Sequence, residues 1–235
     1  MTSIVEIVQS CYPTIEQMPF CKALREGRFG RQEILRAEIV ELYRALKTRS
    51  EIQENYKEKL RDALTQGMIK QSDLDTMFDV IDDEGETEGH IDHLDMRFKL
   101  FTGTRVSRKS PLRFNADLDA INRAWMDICK ESDLLTLMTI TAAIEDWYAP
   151  LSAFFEVEYR KRGFSDDELE LFIVHKEADL DHSTAQFEMI DRFLPRLDAG
   201  RLRTMVERTF VTSKGYDAMK LRLAEATCSL NDLVQ

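Results

Sequence analysis

The four histidines of this chain form two close pairs, His90 with His93 and His175 with His182. Both pairs lie in strongly acidic segments, whereas histidines without a common task would be expected to scatter. Imidazole and carboxylate groups together suit iron, manganese or zinc, while calcium prefers oxygen ligands alone. The distribution of the histidines therefore indicates a transition-metal site.

The second pair belongs to the sequence FIVHKEADLDH. Offsets of four and three residues place His175, Asp179 and His182 on one face of a helix. The same stripe continues to Phe172 and Met189, which predicts that this face points into the interior. Buried ionisable groups are costly unless they are paired or bind a metal, so the three side chains are candidate ligands. The alternative is a solvated face on which Asp179 pairs with His182.

The first pair belongs to the sequence DDEGETEGHIDH. Glu86 and His93 are seven residues apart, or two helical turns, and so share a face. His90 and Glu84 offer a competing register. The two glycines weaken a helix by roughly 1 kcal/mol each relative to alanine, which makes sense where backbone must approach a cofactor closely. The alternative is an acidic helix start with an incidental histidine pair.

A third predicted helix carries Glu145 as the first carboxylate of an apolar stretch that begins at Leu134. A lone acid in such surroundings needs a partner, and a metal ion would serve. Taken by itself, Glu145 fits equally well as an exposed acid near Trp147.

The elements that must position these residues are predicted to be helices throughout. The chain has only 9 glycines and 5 prolines in 235 residues, and good helix formers dominate between the breaks. Breaks are predicted near residues 12–13, 27–30, 102–113, 162–165, 198–200 and 213–215, which separate about seven helical stretches. Ser72, Asn115 and Ser165 precede acidic first turns and are predicted to begin helices. With no repeat and no linker, we expect a single all-α bundle over residues 1–235.

The charge pattern argues against several classes of partner. The formal net charge is −11, and lysines and arginines are scattered, so nucleic acid and anionic membranes are not expected to bind. The longest weakly polar run, residues 134–144, is about half of the roughly 20 residues that span a membrane. The N-terminal residues MTSIVE lack the pattern of a secretory signal, so a cytoplasmic location is expected.

The cysteines suggest neither a zinc knuckle nor a disulfide framework. Cys11, Cys21, Cys129 and Cys228 are widely separated and include no Cys-x-x-Cys pair. We expect reduced thiols in the core or at the surface.

Taken together, the motifs resemble those of the haem-oxygenase-like di-iron oxidases, and most of all the CADD branch near the PqqC and TenA proteins. The resemblance rests on Glu86, Gly89 and His93, on the isolated Glu145, and on the His-x3-Asp-x2-His motif that begins at His175. The sequences ALREG at 23–27 and LY at 42–43 are similar to the early helices of that family, so the resemblance covers most of the chain.

The resemblance implies a seven-helix bundle, two ferrous ions, dioxygen as co-substrate and a homodimer. Manganese could replace iron. The implied substrate is a small organic molecule such as an amino acid, a fatty acid or an aromatic amine. By position, the six implied metal ligands are Glu86, His93, Glu145, His175, Asp179 and His182.

One departure concerns the tyrosines that CADD proteins are thought to use in making an aminobenzoate. Cys21 stands where such a tyrosine would be expected, although Tyr43 remains. That particular activity is therefore not expected. The predicted walls of a substrate pocket, each of which would also fit an ordinary core, are Tyr43, Trp147, Tyr148, Phe172 and Met189.

Two other classes of function remain open from the sequence. A cofactor-independent enzyme of the PqqC or TenA kind would share the fold, but TenA enzymes rely on a nucleophilic cysteine and no cysteine here has an evident activating neighbour. A non-catalytic interaction or metal-storage protein is the third reading. The Glu-x-x-His motif of ferritin-like sites does not occur in this sequence.

Overall fold

The computed structural model describes residues 3–83, 93–109, 112, 115–192 and 198–234. These ranges contain helices and no strand, apart from an isolated bridge between Leu112 and Val234. The prediction of an all-α protein is confirmed. In the described ranges the α-helices are α1 (Ile4–Gln9), α2 (Pro19–Arg25), α3 (Arg31–Thr65), α4 (Gln71–Asp83), α5 (His93–Lys99), α6 (Ala116–Glu131), α7 (Leu134–Arg160), α8 (Glu170–Asp191) and α9 (Ala199–Glu225).

The long helices form a bundle around a continuous apolar core. Helix α7 packs most extensively against α8, and α9 lies against α2, α3, α6 and α7. The short helix α5 packs on α3 and α8, which brings its first residue, His93, to the centre of the bundle. Side chains from α3, α5, α7, α8 and α9 can therefore meet in one place.

One of the three predicted helix starts has the expected capping contacts. The Asn115 side chain accepts hydrogen bonds from the backbone N–H groups of Asp117 and Leu118. Ser165 does not begin α8, because it exchanges hydrogen bonds with Glu168 in a turn and the helix begins at Glu170. The third prediction is wrong, because α4 begins at Gln71 and includes Ser72.

The break predicted at residues 213–215 is also wrong, because α9 continues through it without interruption. Gly215 lies where α9 packs on α6, and a Cβ at this position would stand 3.4 Å from Cδ1 of Ile121. The glycine therefore lies in the interface between two helices and does not end one of them.

Residues 134–144 form the buried first half of α7, as their composition predicted. The hydroxyl groups of Thr139 and Thr141 donate hydrogen bonds to backbone carbonyls of the preceding turn. These bonds satisfy the two hydroxyl groups inside the apolar environment. Over the described ranges, no helix is both long and apolar enough to cross a membrane.

Candidate metal centre

A cavity of about 220 Å³ lies at the centre of the bundle, between α3, α5, α7, α8 and α9. Four of the predicted metal ligands line it: His93, Glu145, His175 and Asp179. Three further candidates, Glu84, Glu86 and His90, lie outside the described residues.

His175 has the orientation and protonation state of a metal ligand. The side chain is 7% exposed, and Nδ1–H donates a hydrogen bond to the Leu171 carbonyl at 2.6 Å, since a carbonyl can only accept. This tautomer leaves the lone pair of Nε2 available for coordination. Burial and then the positive charge of Arg97 lower the pKa of His175 to about 4, so the imidazole is neutral near pH 7.

His93 lies directly beside this ring. The ring centroids of His93 and His175 are 4.3 Å apart. Burial is the main cause that lowers the pKa of His93, to about 2, and His175 contributes next. His182 also acts electrostatically on both residues but does not line the cavity. Two imidazoles from two helices therefore meet in the cavity wall.

Glu145 is oriented by a hydrogen-bond chain that the sequence did not reveal. Nε2 of Gln186 donates to the Glu145 carboxylate at 2.5 Å. The amide oxygen of Gln186 accepts from the hydroxyls of Thr141 and Tyr56, at 2.6 and 3.2 Å. Gln186 is fully buried and continues the stripe of His182 at a spacing of four residues, so the helical periodicity contained this signal.

Asp179 lies one turn after His175 and is 4% exposed. In the part of the chain that the structure describes, no three His, Cys, Asp or Glu side chains form a ready-made metal cluster. The donors that line the cavity are neutral imidazoles and buried carboxylates, which is the mixed ligation that iron accepts. These are the donor types of a di-iron centre, while the centre itself and the role of each residue as a ligand stay predictions.

A second set of buried charges, which the sequence reading missed, lies in and beside the cavity wall. Nε of Arg44 donates to Glu41 at 2.7 Å, and Nζ of Lys220 lies 3.0 Å from Glu38 and 3.6 Å from Glu41. Burial alone would raise the pKa of Glu41, yet these cations and Arg97 hold it well below its ordinary value. The sequence signal that could have revealed these buried charges is the presence of charged residues on otherwise apolar helix faces.

No protein-family model matches this sequence, and comparison with curated proteins gives no match. Two crystal structures of a CADD-like protein of unknown function from Nostoc punctiforme PCC 73102, at 2.00 and 1.35 Å resolution, are similar to this chain. The first has a TM-score of 0.64 at 15% identity and covers 98% of this chain and 96% of that one. The second has a TM-score of 0.59 at 16% identity, with coverages of 96% and 99%.

The fold is CADD-like. Identities this low show the fold alone, so the ligands and the reaction have to be argued from this chain's own residues.

Two predicted wall residues of the CADD-like bundle, Trp147 and Tyr148, line the cavity. The ring of Tyr148 lies 6.1 Å from that of His175, edge to face. The indole N–H of Trp147 donates to the Pro13 carbonyl at 3.0 Å, which holds the ring in place.

The other three predicted wall residues do not line this cavity, and their part in a substrate pocket stays a prediction. Tyr43 packs in a separate cluster and donates to Asp119 at 2.8 Å. Phe172 is enclosed by other aromatic rings, including that of Tyr159. Met189 is buried in the main core. The helical stripe correctly predicted burial but could not tell core from cavity wall.

All four cysteines are thiols without a disulfide. Cys21 lines the cavity, and its Sγ donates to Asp217 at 3.6 Å. Burial, and then the negative charge of Asp217, raise the pKa of Cys21. Burial likewise raises the pKa of Cys129 to about 12. Neither buried thiol is an activated nucleophile.

Proposed function

We propose that this protein is a non-haem di-iron oxidase or oxygenase that acts with dioxygen on a small organic substrate of the amino acid, fatty acid or aromatic amine class. The observation that carries the proposal is the pair of buried, neutral imidazoles of His93 and His175 beside one cavity. Buried histidines held neutral beside carboxylates are the usual form of a metal site before the metal binds.

The proposed ligands are Glu86, His93, Glu145, His175, Asp179 and His182, with His90 and Glu84 as alternates for the first pair. These residues would hold two ferrous ions, which would supply the electrons for the reduction of dioxygen. Manganese is the alternative metal.

The protein's own contribution is to orient ligands and enclose the substrate. The bond from His175 to Leu171 fixes the imidazole tautomer, and Gln186 holds the Glu145 carboxylate. A cavity of about 220 Å³ lies below the range of about 300–1,000 Å³ that is typical for drug-sized ligands. The substrate is therefore a small molecule.

A cofactor-independent enzyme receives less support from these observations. A TenA-like reaction would need a reactive thiolate, and burial raises the pKa of both Cys21 and Cys129. A purely non-catalytic protein would gain no stability from polar groups gathered around an internal cavity.

The test is metal binding by the whole chain under anaerobic conditions. After loading with Fe²⁺ and desalting, we expect about two irons per chain, as in other two-metal sites, measured by plasma mass spectrometry. Bound metal should also raise the melting temperature, since a ligand at 100 times its Kd stabilises by about 2.7 kcal/mol. Addition of air should consume dioxygen and oxidise the iron.

Matched variants on α8 separate a specific site from loose binding. Asp179→Asn and His175→Ala should each lower the iron content, whereas Asp181→Asn, an exposed aspartate on the same helix, should keep it. His90→Ala and His93→Ala, compared side by side, assign the first ligand pair. Wild-type protein without iron, or iron content that is the same in Asp179→Asn and Asp181→Asn, would reject the proposal.

A further inference from the structure

Arg97 is a buried cation in the cavity wall that forms no ion pair within the described ranges. It lies four residues after His93 on α5, so both side chains share one helix face and both line the cavity. Arg97 is 8% exposed, yet it makes no hydrogen bond or ion pair with any residue in the described ranges. Arg44, which lines the same cavity, bonds to Glu41 at 2.7 Å.

The neighbouring carboxylates already have partners. Glu41 is shared by Arg44 and Lys220, and Glu38 accepts from Lys220 and from the hydroxyl of Tyr159. Arg97 acts on Glu41 electrostatically but forms no ion pair with either carboxylate in the described ranges. A guanidinium cannot lose its proton in a protein, so Arg97 keeps its charge in the cavity wall and can bind an anion directly.

The remaining carboxylates of the cavity wall have other tasks. Glu145 accepts from Gln186, and Asp217 accepts from the backbone N–H of Phe20 at 2.9 Å. Asp179 belongs to the proposed metal centre. None of the three forms an ion pair with Arg97 in the described structure.

A second donor stands near Arg97 without an acceptor. The hydroxyl of Tyr148 is buried and has no hydrogen-bond partner among the described residues. Tyr148 lines the same cavity, and Arg97 acts electrostatically on it. A guanidinium and a neutral hydroxyl are the donors that a carboxylate needs, and the pairing of arginine with carboxylate can be bidentate.

We propose that Arg97, assisted by the Tyr148 hydroxyl, binds the carboxylate group of the substrate. The inference rests on the proposed function in that the occupant is taken to be the substrate of that centre. Apolar side chains supply much of the remaining wall, including Ile52, Ile144, Leu151 and Phe155. The cavity therefore selects a small carboxylic acid with an apolar body, which favours a fatty acid or an apolar amino acid over a simple aromatic amine.

The test uses metal-free full-length protein and hexanoate as the probe, with hexanamide as the uncharged match. Titration calorimetry should show hexanoate bound at least about tenfold more tightly than hexanamide, since charge-assisted hydrogen bonds are about twice as strong as neutral ones. Arg97→Met should lose this preference and leave hexanamide binding unchanged. Arg97→Lys should restore part of it, because lysine keeps the charge but not the fork geometry.

Two further measurements separate binding from a structural role. Arg97→Met should melt at a higher temperature than wild type in the absence of ligand, because a buried charge without a direct ion-pair partner in the described ranges has been removed. Tyr148→Phe should weaken hexanoate several-fold through loss of one hydrogen bond. Arg123→Met, at an exposed arginine, should match wild type throughout.

Equal affinities for hexanoate and hexanamide, or hexanoate binding that is the same in Arg97→Met and Arg123→Met, would overturn the inference. Iron content distinguishes this failure from failure of the proposed function. Iron bound without a preference for hexanoate rejects the carboxylate site alone. Hexanoate bound through Arg97 by a protein that takes no iron supports the site and rejects the di-iron proposal.

Discussion

At the scale of single residues, Gln186 joins the candidate metal centre to the core. Its amide donates to Glu145 and accepts from Tyr56 and Thr141, so one side chain links three polar groups of α3 and α7. Residues in this position behind a ligand hold the carboxylate in one orientation before the metal binds.

Replacement of this side chain tests that role. Gln186→Leu should weaken iron binding about 10- to 100-fold, the usual effect of losing a partner behind a metal ligand. It should also lower the free energy of unfolding by about 1–3 kcal/mol, because buried hydroxyls lose their acceptor. Metal titration and urea denaturation measure the two effects. Glu188→Gln, exposed on the same helix, should change neither, and iron binding equal in the two variants would contradict the role of Gln186.

The sequence predicted some residues of the cavity and missed others for a physical reason. His175 and Asp179 were predicted because two ligand types at helical spacing form a pattern within one segment. Arg97 and Lys220 were missed because a single charged residue on a helix has no partner in its own sequence neighbourhood. Only the packing of α5 and α9 against α3 shows that these charges are buried.

At the scale of helices, Gly215 was predicted to interrupt a helix but lies inside α9. The glycine costs α9 about 0.5–1 kcal/mol relative to alanine, but burial of the helix on α6 offsets that cost. A Cβ would meet Ile121 at 3.4 Å, which is ordinary van der Waals distance.

Gly215→Ala should therefore stabilise the protein by about 0.5–1 kcal/mol, and the melting temperature should rise by a few degrees. Circular dichroism during thermal unfolding measures the change. A decrease in stability would show that α6 and α9 cannot accommodate even a methyl group between them.

Asp73 joins the start of α4 to the end of α8 and gives the fold a pH dependence. One carboxylate oxygen accepts from the backbone N–H of Lys70 at 3.0 Å, and the other from Arg192 at 2.8 Å. The Lys70 hydrogen bond is the largest cause that shifts the pKa of Asp73, and the net effect is to lower it. Because the pKa of Asp73 is lower in the folded than in the unfolded state, the ionised carboxylate stabilises the fold. This stabilisation is complete above the unfolded-state pKa of about 3.9 and is lost as pH falls through the folded-state pKa.

Asp73→Asn should cost about 1 kcal/mol at pH 7, and the difference from wild type should shrink below about pH 4, where wild-type Asp73 also becomes neutral. Urea denaturation at pH 7, 4 and 3 measures it. Asp75→Asn, exposed on the same helix, is the control. If the difference in the free energy of unfolding between wild type and Asp73→Asn did not change with pH, the ionised carboxylate would not be its cause.

At the scale of the whole molecule, three long helices meet at a buried polar centre. Glu38 on α3 accepts from the hydroxyl of Tyr159 on α7 at 2.5 Å and from Lys220 on α9 at 3.0 Å. Lys220 is 3% exposed. Loss of one partner from such a pair leaves the other charge buried, which is costly.

Lys220→Met should lower the free energy of unfolding by about 3 kcal/mol or more. The double variant Glu38→Gln with Lys220→Met should be less destabilised than the sum of the single variants, by about 1–3 kcal/mol. Urea denaturation of all four proteins measures this coupling. The exposed pair of Arg203 and Glu207, on α9, should couple by about 0.5 kcal/mol or less. Additive effects at Lys220 would contradict a shared buried centre.

The sequence by itself determined the helical class, most helix boundaries and the candidate metal ligands. It could do so because these depend on short-range information: hydrophobic periodicity, capping residues and the spacing of His175 and Asp179 along one helix. The same information correctly predicted that residues 134–144 are buried, and that no cysteine carries an activated thiol among the two buried in the core.

The tertiary structure decided which of these residues share a cavity. His93 and His175 are 82 positions apart in sequence, and their ring centroids come within 4.3 Å only because α5 packs against α8. The same packing places Arg97 in the cavity wall and leaves Tyr43, Phe172 and Met189 outside that wall. Helical periodicity specifies which face is buried, but the choice of neighbour depends on how all the faces pack together.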